Sequence, residues 1–358
     1  MKNKNILRFL FLSAGLIILA FMIYKIGIMT ILEGLYKVGW WFFAIIALWL
    51  IIYVLNAISW KFIIRNEEGE AHVPFPKLLK ITISGFAVNY ITPFVALGGE
   101  PYKVFELKDY MNTSKATSCV ILYSMMHVFA HIIFWMASIL LTLIYLKPPW
   151  FSSLLLASLF TFFFFAVILF LQGYKKGLLV RTFRIASKIP LLKKLTNKVY
   201  NNKLDKLQEI DSQIAHLHTY RRSSFYRSFA VEFISRVAGC FEVSIIMYAL
   251  SPLYPNIHVT VADAIIITAG YSLFANLVFF VPMQIGSREG GYMLAFQAVA
   301  LPSAPAFIVS LLTRIRELFW ILIGFMLMRI GTRIQSQNTD VISDCKSNEN
   351  NPDLIVKE

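Results

Sequence analysis

Charged residues are scarce in this 358-residue chain, at 15% of the total where about 25% is ordinary. Acidic side chains are the scarcest, 20 against 34 basic ones, which leaves a net charge of +14. So low a charge density excludes a disordered or solvating chain. Cysteine is limited to Cys119, Cys240 and Cys345. They are odd in number, far apart and without CxxC spacing, so they outline neither a disulfide framework nor a zinc site. A nucleotide P-loop, a G-x-S-x-G elbow and an H-E-x-x-H helix are also missing, and with them the common signatures of nucleotide, ester and metallopeptide hydrolysis. Apolar residues, by contrast, make up 58%, with Phe alone supplying 31. A water-soluble protein of this size could not cover that much apolar surface. The composition points to a polytopic membrane protein.

Six runs are long and apolar enough to cross a hydrocarbon core of about 30 Å: Ile6 to Ile28, Trp40 to Ile64, Ser118 to Leu146, Trp150 to Gln172, Ser228 to Leu250, and Pro305 to Met328. Two further stretches are broken. Ile81 to Lys115 is interrupted by Pro93, Gly98, Gly99 and Pro101; Val261 to Ser303 is interrupted by Pro282, Gly286, Gly290, Gly291 and Pro302. If both are re-entrant hairpins, over 78–116 and 261–303, the loop charges obey the positive-inside rule throughout. Both termini are then cytoplasmic, as are the segment with Lys61, Arg65, Lys77 and Lys80 and the loop 173–227. The N-terminal run is too long for a signal peptide and no A-x-A site follows, so it reads as a retained span.

The order span, span, hairpin, span occurs twice, in 1–146 and again in 150–330. Each half has an odd number of crossings, so the halves are inverted relative to one another, the plan of secondary transporters. The expected fold is an all-α polytopic membrane protein with six to eight membrane helices, two re-entrant or broken hairpins and two inverted-topology repeats. A disordered cytoplasmic tail is expected over 331–358.

A charge in hydrocarbon costs on the order of 3 kcal/mol, so each one needs a reason. Glu100 and Lys103 share a helix face at i, i+3 beside the first break, and Arg288 and Glu289 stand at the second. Freed backbone N–H groups and a guanidinium fork at such breaks attract phosphate or carboxylate. Alternatively the opposite charges neutralise one another and lock the hairpins. Arg314, Arg316 and Glu317 lie mid-span, with Arg316 and Glu317 candidates for a packing network. Glu232 and Arg236 can pair at i, i+4 and snorkel from the inner end of their span. Glu242 and Asp263 have no evident partner. Asn56, Asn89 and Asn276 read as interhelical hydrogen-bond glue. His127 and His131 share one helix face at i, i+4, but the third ligand of a zinc helix is absent, so a packed or proton-sensitive patch is the better reading. No metal and no cofactor is expected. The loop 173–227 holds thirteen Lys/Arg against three acidic residues, a net of +10. Its apolar residues from Ile185 to Leu217 recur at helical spacing, suggesting two amphipathic helices on the inner leaflet rather than a nucleic-acid surface.

At the hairpins the sequence resembles a known family. ITPFVALGGEPYKVFELKDYMNTSKAT, Ile91 to Thr117, is similar to the TP...GG(E/Q)P...Y.L motif of the flippase-like family that includes the membrane region of lysylphosphatidylglycerol synthases. VPMQIGSREGGYMLAF, Val281 to Phe296, resembles its P..G..G..EGG motif, and Thr313-Arg314 matches a downstream position. The resemblance implies a protein that moves or binds a lipid head group, anionic or phosphate-bearing. Glu100, Lys103, Arg288, Glu289 and Arg314 would be its functional positions, and Pro93, Gly98, Gly99, Pro282, Gly286 and Gly290 the hairpin hinges. Where many relatives carry Glu-Arg after the first hairpin, this chain has Tyr123 and Ser124. The synthases append a soluble aminoacyl-transferase domain, whereas this chain stops about thirty residues past its last span. The expectation is therefore a lipid flippase or translocase in the cell membrane, not an enzyme. An accessory lipid-binding subunit of a separate synthase or glycosyltransferase, or a lipid-modifying membrane enzyme, are the alternatives.

Overall fold

The computed structural model describes residues 28–64, 73–91, 98–176, 222–277 and 286–349, with the single positions 24, 208, 211, 212 and 284. Among the described residues there are ten α-helices and no strand. In the first half they are α1 (Ile28–Val38), α2 (Trp41–Ile63), α3 (Phe75–Ile91), α4 (Gly99–Leu107) and α5 (Thr113–Tyr145). In the second they are α6 (Trp150–Lys176), α7 (Arg222–Ala249), α8 (Val261–Leu277), α9 (Ser287–Ala298) and α10 (Ser303–Glu349). The protein is an all-α membrane protein.

Local chemistry sets the boundaries. Asn112 caps α5, its Oδ1 accepting from the Lys115 amide at 2.8 Å, the standard use of an Asn side chain at an N-terminus. Pro148 and Pro149 cannot continue that helix, and Lys147 turns the chain with φ 46°. Thr260 and Asp263 start α8 reciprocally: Thr260 Oγ1 accepts from the Asp263 amide at 3.1 Å and Asp263 Oδ2 accepts from the Thr260 amide at 3.0 Å. Asp263, without a role in the sequence, is thus half of a capping box.

Three helices among the described residues are long and apolar enough to cross a membrane, over Trp41–Ile63, Thr113–Tyr145 and Trp150–Gln172. The runs Ser228 to Leu250 and Pro305 to Met328 lie inside α7 and α10 but carry buried charges. The first run, Ile6 to Ile28, and most of the loop 173–227 with its expected amphipathic helices lie outside the described residues. The tail differs from expectation. α10 continues as helix through Glu349, since neither proline nor paired glycines interrupt it before Pro352.

Both broken stretches are helical hairpins. Their first arms, α3 and α8, have 17 residues each; the second arms, α4 and α9, have only 9 and 12. At 1.5 Å per residue the second arms span about 14 and 18 Å, too short to cross alone. Small residues let the arms close. Gly99 donates its N–H to Asn89 Oδ1 at 2.6 Å, and a Cβ on Gly99 would run into Asn89 and the Gly85 carbonyl. In the second hairpin Gly291 lies on the Tyr271 backbone, and the Tyr271 and Tyr292 rings stack with centroids 4.0 Å apart.

Several of the main packing contacts recur when the halves are exchanged. The α3 helix packs on α10 as α8 packs on α5, α5 packs on α6 as α10 packs on α1, and α2 and α7 pair with each other in the broadest contact. Close approach again relies on small groups: Ser84 Oγ donates to the Gly324 carbonyl at 2.9 Å, and Ser59 and Ser228 hydroxyls meet at 2.7 Å. These polar bonds and close contacts supply cohesion where water is absent. The Phe- and Leu-rich side of α6 is left facing outward.

Candidate functional site

A cavity of about 390 Å³ opens where the two halves meet. The first half contributes Asn56 from α2, Asn89 from α3, Glu100 and Lys103 from α4, and Tyr123, Ser124, His127 and His131 from α5. From the second half come Arg236 and Glu242 of α7, Thr268 and Ser272 of α8, then Gln284 and Arg288. Apolar walls with a few convergent polar groups are typical of ligand sites, and the volume lies within their usual range.

Every charge at this depth has an opposite partner. Glu100 Oε1 meets Lys103 Nζ at 2.9 Å while Ser124 Oγ donates to its Oε2 at 2.6 Å. The Lys103 ammonium stands 5.2 Å over the Tyr123 ring, a cation–π contact. Across the cavity Arg288 Nη1 contacts Glu317 Oε2 at 2.6 Å, and its Nη2 donates to Gln284 Oε1 at 2.9 Å. Arg316 grips Glu242 with two bonds, 2.9 and 3.0 Å, and lies 3.6 Å over the Trp49 ring. Arg314 holds Glu289 with bonds of 2.6 and 3.0 Å. Finally Arg236 Nη2 donates to Glu232 Oε2 at 3.0 Å. Glu100, Glu232, Glu242, Glu289 and Glu317 thus offset Lys103, Arg236, Arg288, Arg314 and Arg316. That balance is what makes burial of so many charges tolerable.

Balance of charge is not balance of hydrogen bonds, because each guanidinium carries five donors. Arg236 Nε and Arg288 Nε, both on cavity-lining residues, are buried with no acceptor among the described residues. Such unsatisfied donors call for an explanation. Both guanidinium groups therefore keep hydrogen-bonding capacity that the protein itself does not use.

Of the five positions singled out in the sequence, Glu100, Lys103 and Arg288 line this cavity and Glu289 and Arg314 do not. The latter pair instead ties the turn before α9 to α10: Glu289 Oε2 accepts the Gly286 amide at 2.8 Å, and Arg314 Nη2 donates to the Gln284 carbonyl at 2.8 Å. Among the expected hinges, Gly98 caps α4, Gly99 begins it, and Gly286 precedes α9 at φ 82°. Gly290 lies inside α9 and is not a hinge there. Pro93 and Pro282 lie outside the described residues. Sequence reasoning named Arg236 only as half of a snorkelling pair and Glu242 only as a polar position without a partner, and both line the cavity. Glu232, expected to snorkel, is fully buried, and Glu242, without a partner in the sequence, faces Arg316 from 74 residues away. Tyr123 and Ser124, the departures from the family pattern, contact Lys103 and Glu100 directly. No group of three His, Cys, Asp or Glu side chains able to hold a metal occurs among the described residues.

The family model for the lysylphosphatidylglycerol synthase TM region matches residues 5–324, nearly the whole chain. This chain belongs to that family. Within it, one similar protein is the UPF0104 membrane protein MJ1595 of Methanocaldococcus jannaschii, 24% identical over 290 residues, covering 79% of this chain and 82% of the relative. No solved structure matches. For this family member, both hairpins, the start of α10 as far as residue 324 and every residue lining the cavity fall within the matched region, so the cavity is built from the part of the chain that carries the family likeness.

Proposed function

We propose that this protein binds a phosphate-bearing lipid head group in the cavity between its halves and moves it across the cell membrane. The observation that carries the reading is the convergence of Lys103, Arg236 and Arg288 on one cavity of head-group size, with a guanidinium Nε donor on each arginine left without a partner. A phosphate offers the acceptors both lack, in the bidentate geometry that arginine favours. Lys103 adds a third cation, and the zwitterionic balance of the lining suits a ligand that itself carries both signs. Acyl chains would remain in the bilayer while the halves rock about the site, as inverted-repeat transporters do. Both termini would be cytoplasmic, with the basic loop 173–227 held against the anionic inner leaflet.

Purified protein in vesicles containing a short-chain fluorescent phospholipid tests this. Flipping should be present, and lost in Arg288→Ala. Flipping restored only by adding a separate synthase would favour an accessory role. Covalent alteration of the lipid, seen by mass spectrometry, would make the protein an enzyme. Wild-type flipping by Arg288→Ala would overturn the site.

A further inference from the structure

We infer that His127 takes up a coupling proton, and that its protonation releases Arg236 to hold a phosphate-bearing ligand in the cavity. This rests on the lipid reading above and adds the ion that would drive it.

The observation is a triangle of three atoms whose hydrogen bonds must rearrange when one proton is added. Arg236 Nη2 lies 2.6 Å from His127 Nδ1 and 3.0 Å from Glu232 Oε2, and Nδ1 lies 3.1 Å from the same Oε2. With Nδ1 unprotonated, Arg236 donates to both the imidazole and the carboxylate, and the guanidinium is tethered against α5. Two acceptors, Nδ1 and Oε2, then face one another at 3.1 Å. With Nδ1 protonated, the imidazole donates to Oε2 instead. The imidazolium is then a second cation 2.6 Å from the guanidinium, and the two facing nitrogens, both now donors, repel one another. Arg236 must move away, and the cavity is the space beside it. Histidine is the side chain whose ordinary titration makes such an exchange available near neutral pH.

The surroundings reinforce the sign of the coupling. His131 and Tyr123 flank His127 on α5, with ring centroids 5.3 and 6.1 Å away. Glu232 and Arg236 face it from α7, Lys103 and Glu100 from α4, and Arg288 and Glu242 line the same cavity. A proton arriving on a charge-balanced lining makes it net positive, which a phosphate corrects. The proton enters from water on the side to which the cavity opens, binds Nδ1 while the ligand is held, and leaves to water on the other side when the ligand does. One proton accompanies one phosphate-bearing group, and binding is tighter at lower pH.

The test is calorimetric titration of the purified protein with dihexanoyl phosphatidylglycerol, and separately with inorganic phosphate, between pH 5.5 and 8.5. The expected result is affinity at least fivefold higher at pH 5.5 than at pH 8.5, with proton uptake on binding read from buffers of different ionisation enthalpy. Both should vanish in His127→Gln, and persist in His258→Gln, a position outside the cavity lining. If His127→Gln lacks a melting transition, His127→Asn takes its place. Wild-type binding with the same affinity at every pH and no proton uptake would overturn the coupling and leave the lipid reading standing. Binding of inorganic phosphate with proton uptake, but not of the phospholipid, would support the coupling and overturn the lipid reading. Absence of both ligands at every pH would overturn both.

Discussion

The two halves share one topology and differ sharply in how they hold their charges. In the first, the ion pairs are separate: Glu100 and Lys103 pair at i, i+3 on a short helix, with Glu100 still 27% exposed, and Lys77 pairs with Glu106. In the second, Arg288, Glu317, Arg316 and Glu242 form one chain of contacts from α9 through α10 to α7, and every member is buried. Equivalent hairpins therefore do different work. The α9 hairpin is fastened to α10 by ion pairs on both Arg288 and Glu289. The α4 hairpin is fastened to α3, its own first arm, by the Lys77–Glu106 ion pair at 2.6 Å and by close backbone approach at Gly99, and the Glu100–Lys103 pair is left at the cavity. A repeat fixes where a hairpin lies, while the residues placed on it decide whether it is a clamp or a ligand-facing arm.

Breaking the clamp should have the largest effect. Arg316→Ala strands Glu242 and leaves Glu317 with a weakened partnership, a loss of about 3 to 5 kcal/mol for a buried pair broken on one side. Thermal unfolding in detergent should show a large fall in midpoint. The double variant Arg316→Met with Glu242→Leu removes both charges and should recover most of it. Next comes the closure of the first hairpin. Gly99→Ala has to displace Asn89 and the Gly85 carbonyl, for a loss of about 1 to 3 kcal/mol, and adding Asn89→Ala should restore only part, because the carbonyl remains. Gly286→Ala meets no neighbour within 4 Å, but its φ of 82° disfavours any side chain, so a loss of about 1 kcal/mol is expected by the same measurement. The smallest effect belongs to the first-half pair. Glu100→Gln should shift stability by less than about 1 kcal/mol while slowing lipid flipping. Equal destabilisation by Glu100→Gln and Arg316→Ala would erase the contrast between the halves.

Much of this was legible in the chain itself. Apolar run lengths gave three of the membrane helices among the described residues, the Gly/Pro breaks mark where the paired arms α3–α4 and α8–α9 divide, and Glu100, Lys103 and Arg288 line one cavity. Glu242 could not be assigned, because its partner Arg316 lies on another helix and ion pairs between helices leave no local spacing to read. Glu232 and Arg236 have readable i, i+4 spacing, but only the packing of α7 against α5 turns them from a snorkelling pair into a buried cluster with His127. The expectation for the tail rested on composition alone. Polar composition says that a segment lacks a core, and it does not say that an established helix must end. The glycines divide in the same way: Gly286 reveals its role through φ, whereas Gly290, next in the motif, is ordinary helix.

The central claim is that the lipid head group occupies the cavity between the halves. The most direct measurement is photocrosslinking with a phospholipid carrying a photoactivatable head group, followed by mass-spectrometric mapping of the adducts. The account predicts adducts on α5 between Tyr123 and Phe134 and on α8 between Thr268 and Asn276, lost in Arg288→Ala. Adducts confined to the outward Phe-rich face of α6, unchanged by Arg288→Ala, would contradict it.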